Sequence, residues 1–281
     1  VASHGERNDR RTPHFRGAGG PRDRVKSGGA SEAKGTAGTE AEWIWGRHAV
    51  EAALCNPARA GLRRLVAAPG KADSLPVDQM TQAGQALRVE VLEPAQIDRL
   101  TPPGAVHQGL ALLAEPPEPV ELQTVATPAQ GLLVLLDSVA DPQNVGGVFR
   151  CAAAFGARAV ILQARRAPPL SGALAKAAAG AVDKVPCVRV VNLSRALDEL
   201  ADLGWRAIGL DAEAATPLDA AFDGGPVVLV MGSEGEGLRR LVSEHCDLLA
   251  KIPMPGGFES LNVATATAIA LYEAAKPRHD A

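Results

Sequence analysis

The chain has 281 residues, 46% of them hydrophobic but only 3% aromatic, and a formal net charge of −3. That length accommodates one large domain or two ordinary ones, with cores built from Ala, Val and Leu. No apolar run approaches the roughly 18 residues of a membrane span, and no apolar stretch near the N-terminus reads as a secretory signal. The four cysteines, Cys55, Cys151, Cys187 and Cys246, lie too far apart for a C-x-x-C zinc site or a disulfide scaffold, which implies a reducing, cytoplasmic setting and no bound metal.

Residues 1–40 are rich in Gly, Arg, Ser and Thr and net basic, whereas the remainder is net acidic. Such a segment buries too little apolar surface to offset chain entropy and reads as a disordered basic tail, compatible with association with nucleic acid. A compact α/β unit is expected over residues 41–115. Trp43–Trp45 reads as a strand, 48–54 as a helix, "LRRLVAAP" as a strand and "VDQMTQAGQAL" as a helix. "RVEVLEP", "AQIDRLTP" and "HQGLALLAEP" then read as strand, short helix and strand. Residues 116–130, with Pro116, Pro117, Pro119 and Pro128, read as a linker.

A second α/β unit spans 131–277. "LLVLLD" is a continuous apolar run, as expected of a parallel strand buried on both faces. Strand-like runs recur at "AVILQ", "CVRVV", "RAIGL", "PVVLVMG" and "LLAKIPM", with helices expected over 145–155, 172–178, 193–203, 238–245 and 261–275. This alternation predicts a mostly parallel sheet covered by helices on both faces.

Three stretches carry candidate chemistry. In "LLDSVADPQNVGGVFR", Asn144 lies at or near a helix start, where Asn commonly caps, and Arg150 follows on a helix of small and apolar residues. Gly146-Gly147 lacks the dinucleotide-fingerprint spacing. In "VVLVMGSEGEGL" a buried strand runs into Gly232, Gly235 and Gly237, with Glu234 and Glu236 between. Two acids disfavour a phosphate cradle and suit a ribose or an amino group. In "IPMPGGFESLNV" a sharp Pro/Gly turn precedes Ser260, the expected cap of an apolar helix, and Asn262. His107 and the pairs Arg63-Arg64 and Arg165-Arg166 are weaker candidates, the histidine for a structural or RNA-contacting role and the arginines for phosphate contacts.

Taken in order, Asn144-x-Gly146-x-x-x-Arg150, Met231-Gly232-x-Glu234-Gly235-x-Gly237, and Ile252-Pro253-Met254 with Ser260-Leu261-Asn262-Val263 resemble the three motifs of the SpoU/TrmH family of RNA ribose 2'-O-methyltransferases, in the SPOUT superfamily. Within it they look most like the RlmB-like branch, which methylates a guanosine ribose of 23S rRNA. "WGRHAVEAAL" and "HQGLALLAEP" resemble the small L30e-like RNA-binding domain that precedes the catalytic domain in many members.

The resemblance implies a C-terminal trefoil knot, S-adenosylmethionine as cofactor, RNA as substrate and a homodimer that completes the site. It implies Arg150, Asn144, Glu234, Ser260 and Asn262 as catalytic residues. Gly232, Ile252, Leu261, Met231, Gly235 and Met254 would hold the cofactor. It leaves room for a tRNA-methylating enzyme of the same fold, or for a silent rRNA-binding assembly factor. Ala264 and Ala179 depart from the family pattern, where small hydroxyl or Ser/Cys residues are frequent.

Overall fold

A computed structural model describes residues 40–257 and 260–276. The tail expected over residues 1–40 lies, except for Glu40, outside the described residues. From Glu42 the chain forms β1 (Glu42–Trp45), α1 (Arg47–Cys55), β2 (Leu62–Ala67), α2 (Gln82–Ala86), β3 (Val89–Val91), α3 (Pro94–Ile97) and β4 (Leu110–Ala114). These strands make a mixed sheet ordered β1-β4-β2-β3, in which only β2 and β3 run parallel. The single helix expected over 77–87 is broken. Thr81 donates its N–H to the carbonyl of Leu54, 2.9 Å away, and its Oγ1 caps the N–H of Gly84, so only Gln82–Ala86 is α-helical.

The Pro-rich stretch 116–130 is more than a spacer. It contains α4 (Leu122–Ala126), whose Leu122, Val125 and Ala126 are buried. The indole Nε1 of buried Trp205 donates to the carbonyl of Ala126 at 2.8 Å, tying α4 to the second sheet. No periodicity reveals a helix of five residues.

The second sheet is assembled from β5 (Leu132–Leu136), α5 (Pro142–Ala154), β6 (Ala159–Gln163), α6 (Gly172–Ala178), β7 (Cys187–Val190), α7 (Leu193–Asp202), β8 (Arg206–Leu210), β9 (Thr216–Pro217), β10 (Val227–Met231), α8 (Arg240–Glu244), β11 (Leu248–Lys251) and α9 (Val263–Ala275). Its order is β7-β6-β5-β10-β8-β11-β9, and every pairing is parallel. Alternate residues of each inner strand serve opposite faces. Val134, Leu136, Val160, Leu162, Ile208, Leu229 and Met231 join the core that includes residues of α5, α6 and α9. Leu133, Leu135, Ile161, Val188, Val228 and Val230 join the core with α4, α7 and Val242 of α8. Burial on both faces accounts for the unbroken apolar runs.

The first of these cores continues into the four-stranded sheet through Ile44, Leu65 and Leu112 and into α1 through Val50 and Leu54. A buried ion pair lies beside that junction. Arg59 Nη1 donates to both carboxylate oxygens of Asp183, at 2.8 and 3.0 Å, and Asn56 Nδ2 donates to one of them. Both charged side chains are essentially inaccessible, and Arg59 Nε and Nη2 have no partner among the described residues. Removing the acid strands a buried guanidinium. Asp183→Ala is therefore expected to lower stability by about 3–5 kcal/mol, measured by urea unfolding.

Candidate active site

In an open parallel sheet, loops leaving the carboxyl ends of the strands converge on one edge, and ligands bind there. The loops after β5, β10 and β11 bring the three sequence stretches to that edge. Glu234, on the loop after β10, is the junction. Its Oε1 accepts from Asn144 Nδ2 at 2.9 Å, from Asn262 Nδ2 at 2.8 Å and from the backbone N–H of Val263 at 3.4 Å. Asn262 Nδ2 also donates to Asn144 Oδ1 at 2.7 Å.

The local reason differs from the sequence expectation at two positions. Asp141, not Asn144, caps α5: its side chain accepts from the N–H of Gln143, and Pro142 opens the helix. Asn144 sits in the first turn with its amide free to reach across to Glu234. Likewise Asn262, not Ser260, caps α9, which starts at Val263: Asn262 Oδ1 accepts from the N–H groups of Ala264 and Thr265. With Glu234 on the N–H of Val263, the first three donors of α9 are all satisfied, and the carboxylate complements the positive helix end.

The helices behind this junction are closely packed. A Cβ on Gly146 would lie 2.6 Å from Ala177 Cβ, and one on Gly147 would lie 2.8 Å from Ala264 Cβ. Ala264, where the family pattern favours a hydroxyl residue, therefore lies against α5 with no room to spare.

Beside the junction lies a cleft of about 210 Å³. Met231, Gly232, Glu234, Gly235, Ile252, Met254, Ser260 and Leu261 all line it, so eight of the eleven expected site residues meet there. Asn144 and Asn262 reach it through Glu234. Arg150 does not join them: it is exposed on α5 and, among the described residues, makes no hydrogen bond or ion pair. The sequence reading overlooked Leu210 and Asp211, which line the cleft at the carboxyl end of β8. The usable signal was the acid directly after "RAIGL".

His107, Arg63 and Arg64 make contacts within the chain, while Arg165 and Arg166 are exposed, with Arg166 Nη1 donating to Ser138 Oγ at 3.4 Å. His107 Nδ1 accepts from the N–H of Gly109, and its Nε2 is 3.1 Å from Asp98. Arg63 pairs with Glu115, and Arg64 makes a bidentate pair with Glu90 while lying over Trp43. Burial pushes the thiol of Cys187 up to about 11 and that of Cys246 up to about 12, the latter aided by Asp247 and Asp137. Neither thiol is a nucleophile near neutral pH. Among the described residues no group of His, Cys, Asp and Glu could hold a metal ion, and no helix is long and apolar enough to cross a membrane.

A parallel α/β domain with a cleft at its carboxyl edge is built to bind a small molecule there. Comparison with known proteins narrows it. Residues 131–272 match the SpoU rRNA Methylase family, and residues 43–120 match a family described as RNA 2'-O ribose methyltransferase substrate binding. The chain belongs to the SpoU rRNA methylase family. It is 46% identical over 153 residues to a 23S rRNA (guanosine-2'-O-)-methyltransferase RlmB of Xylella fastidiosa, a match covering 54% of this chain and 61% of the relative. It is 44% identical over 156 residues to an uncharacterized tRNA/rRNA methyltransferase of Mycolicibacterium vanbaalenii, covering 56% of this chain and 49% of that protein. The chain thus spans about half to three-fifths of the length of these curated relatives. Among solved structures, an AdoMet-bound rRNA methyltransferase from Sinorhizobium meliloti superposes with a TM-score of 0.70 at 28% identity, covering 84% of this chain and 87% of that one.

Asn262→Ala removes the α9 cap together with the donor shared by Asn144 and Glu234. It is expected to cost at least about 1 kcal/mol of stability in urea unfolding, with the largest gain in amide exchange at Val263, Ala264 and Thr265.

Proposed function

We propose that this protein transfers the methyl group of S-adenosylmethionine to a ribose 2'-hydroxyl of RNA, at a guanosine of 23S rRNA. The observation that carries the reading is the meeting of Asn144, Glu234 and Asn262, one from each motif, beside a single cleft. The relative from Xylella fastidiosa supports the choice of substrate. In this reading residues 131–277 are the catalytic domain, residues 41–115 the RNA-binding domain of L30e-like type, and residues 116–130 the connection. Working on rRNA places the enzyme in the cytoplasm.

The cleft suits the cofactor. Met231, Ile252, Met254 and Leu261 offer apolar surface to an adenine, and Gly232 and Gly235 leave backbone groups accessible at the strand ends. Asp211 and Glu234 outnumber Lys251 on its lining, a balance that favours a sulfonium cation over a phosphate. When bound, the cofactor supplies an electrophilic methyl group. The chain must then orient the 2'-hydroxyl, favour loss of its proton and stabilise the alkoxide that develops. Glu234 Oε1 accepts three hydrogen bonds and holds the motif loops in register, and the proton passes to the other carboxylate oxygen of Glu234 or to water. Ser260, exposed on the cleft lining, is placed to donate to substrate or cofactor.

Arg150 grips the target phosphate and stabilises the alkoxide, a role suited to a guanidinium that keeps its proton. Its exposure outside the cluster supports a homodimer in which it serves the partner's cleft, and exposed Ile269 and Tyr272 on α9 support an apolar contact between copies. A C-terminal trefoil knot, with the Pro/Gly stretch 253–257 as its sharp turn, belongs to the same reading.

The test is transfer of labelled methyl to unmodified 23S rRNA and, separately, to unmodified tRNA. Label at a guanosine ribose of 23S rRNA is expected. Label in tRNA alone overturns the substrate, and cofactor binding with no transfer to either overturns the activity. Arg150→Ala is expected to abolish transfer while leaving cofactor affinity within a few-fold, as read by calorimetry and single-turnover assay.

A further inference from the structure

The carboxylate of Asp137 is wholly buried, yet it lies outside the cluster described above. It follows the last residue of β5, beside β10, and it fastens both ends of the loop that carries Glu234. At the near end, the N–H of Asp137 donates to the carbonyl of Met231, the last residue of β10, at 2.8 Å. At the far end, Asp137 Oδ2 accepts from the backbone N–H of Arg239 at 2.8 Å, and Oδ1 accepts from Arg239 Nε at 2.6 Å. Ser138 Oγ donates to Oδ1 as well, and Arg239 Nη2 donates to Gln163 Oε1 at the end of β6.

Between these two fixings the loop is folded tightly on itself. Ser233 and Gly237 exchange backbone hydrogen bonds at 3.1 and 3.0 Å, and a Cβ on Gly232 would lie 2.2 Å from the Gly237 carbonyl carbon. Glu234 occupies the tip. A tight loop held at both ends fixes where its tip lies, and a carboxylate receiving two N–H groups of one residue in parallel also fixes direction. We infer that Asp137 is a positioning residue for the reaction: through Arg239 it sets the Gly232–Leu238 loop, and so sets both the Glu234 carboxylate and the cleft wall that receives the cofactor. The inference rests on the methyltransferase reading given above.

Asp137→Asn is the discriminating change because it keeps shape and alters only the acceptor pattern. The Asn oxygen can still accept from one Arg239 N–H, but its NH2 then faces the other donor, and two donors repel. The expected result is a loop displaced by a fraction of an ångström to an ångström. That corresponds to a fall of roughly 10²-fold in single-turnover methyl transfer and weaker S-adenosylhomocysteine binding by calorimetry. The KM for RNA should stay unchanged, because the RNA-binding sheet lies elsewhere. Arg239→Lys, which keeps the backbone bond and the charge but removes the Nε contact, is expected to move the same two quantities the same way by less. The pair Asp137→Asn with Arg239→Gln restores complementary donors and acceptors and is expected to recover part of the lost rate.

A merely structural role predicts a lower melting temperature with normal rate and cofactor affinity in the folded fraction. That result in Asp137→Asn, or in Arg239→Lys should the first variant not fold, overturns the inference, as does equal loss of RNA binding. If the unaltered protein binds no S-adenosylhomocysteine, it is the methyltransferase reading that fails instead.

Discussion

One carboxylate oxygen organises the site. Glu234 Oε1 collects an amide from α5, an amide from the residue capping α9, and the first backbone N–H of α9. These groups are 90, 28 and 29 residues away in sequence, so the contact closes two long chain segments at once, one to α5 and one to the start of α9. Each donor would otherwise be solvated or orphaned, and hydrogen bonds to an ionised group are the stronger kind. The loops that line the cleft are fastened to one another at this contact.

Everything beneath this contact serves to deliver it. Seven parallel strands put their carboxyl ends on one edge, and strands buried on both faces leave little freedom for that edge to shift. Small residues let α5 approach α6 and α9 closely, so Asn144 and Asn262 start from fixed backbones. The four-stranded sheet, formed by residues that match the substrate-binding family, shares the core on that side of the parallel sheet.

Much of this was legible in the sequence. "LLVLL", "AVIL" and "VVLVM" announce two-sided burial because every position is apolar, and all three belong to inner strands of the parallel sheet. Eight of the residues named from motifs line one cleft, since motif spacing encodes strand ends. The failures have physical causes. Residue type alone favours Asn144 and Ser260 as caps, but their neighbours Asp141 and Asn262 are better placed, which frees Asn144 for a contact made across the fold. Helix α4 and the break at Thr81 depend on tertiary partners, Trp205 and the Leu54 carbonyl, that no local pattern shows. Asp137 looked like the end of a strand, and its partner Arg239 lies 102 residues away.

The most direct test of the account is a calorimetric titration of S-adenosylhomocysteine into the unaltered protein and into Glu234→Ala. The account predicts one site per chain, and an affinity lower by about tenfold or more once the shared acceptor is gone and its donors are left unpaired. Equal affinity in the two proteins would contradict it, because the cleft would then stand without the contact taken here to form it.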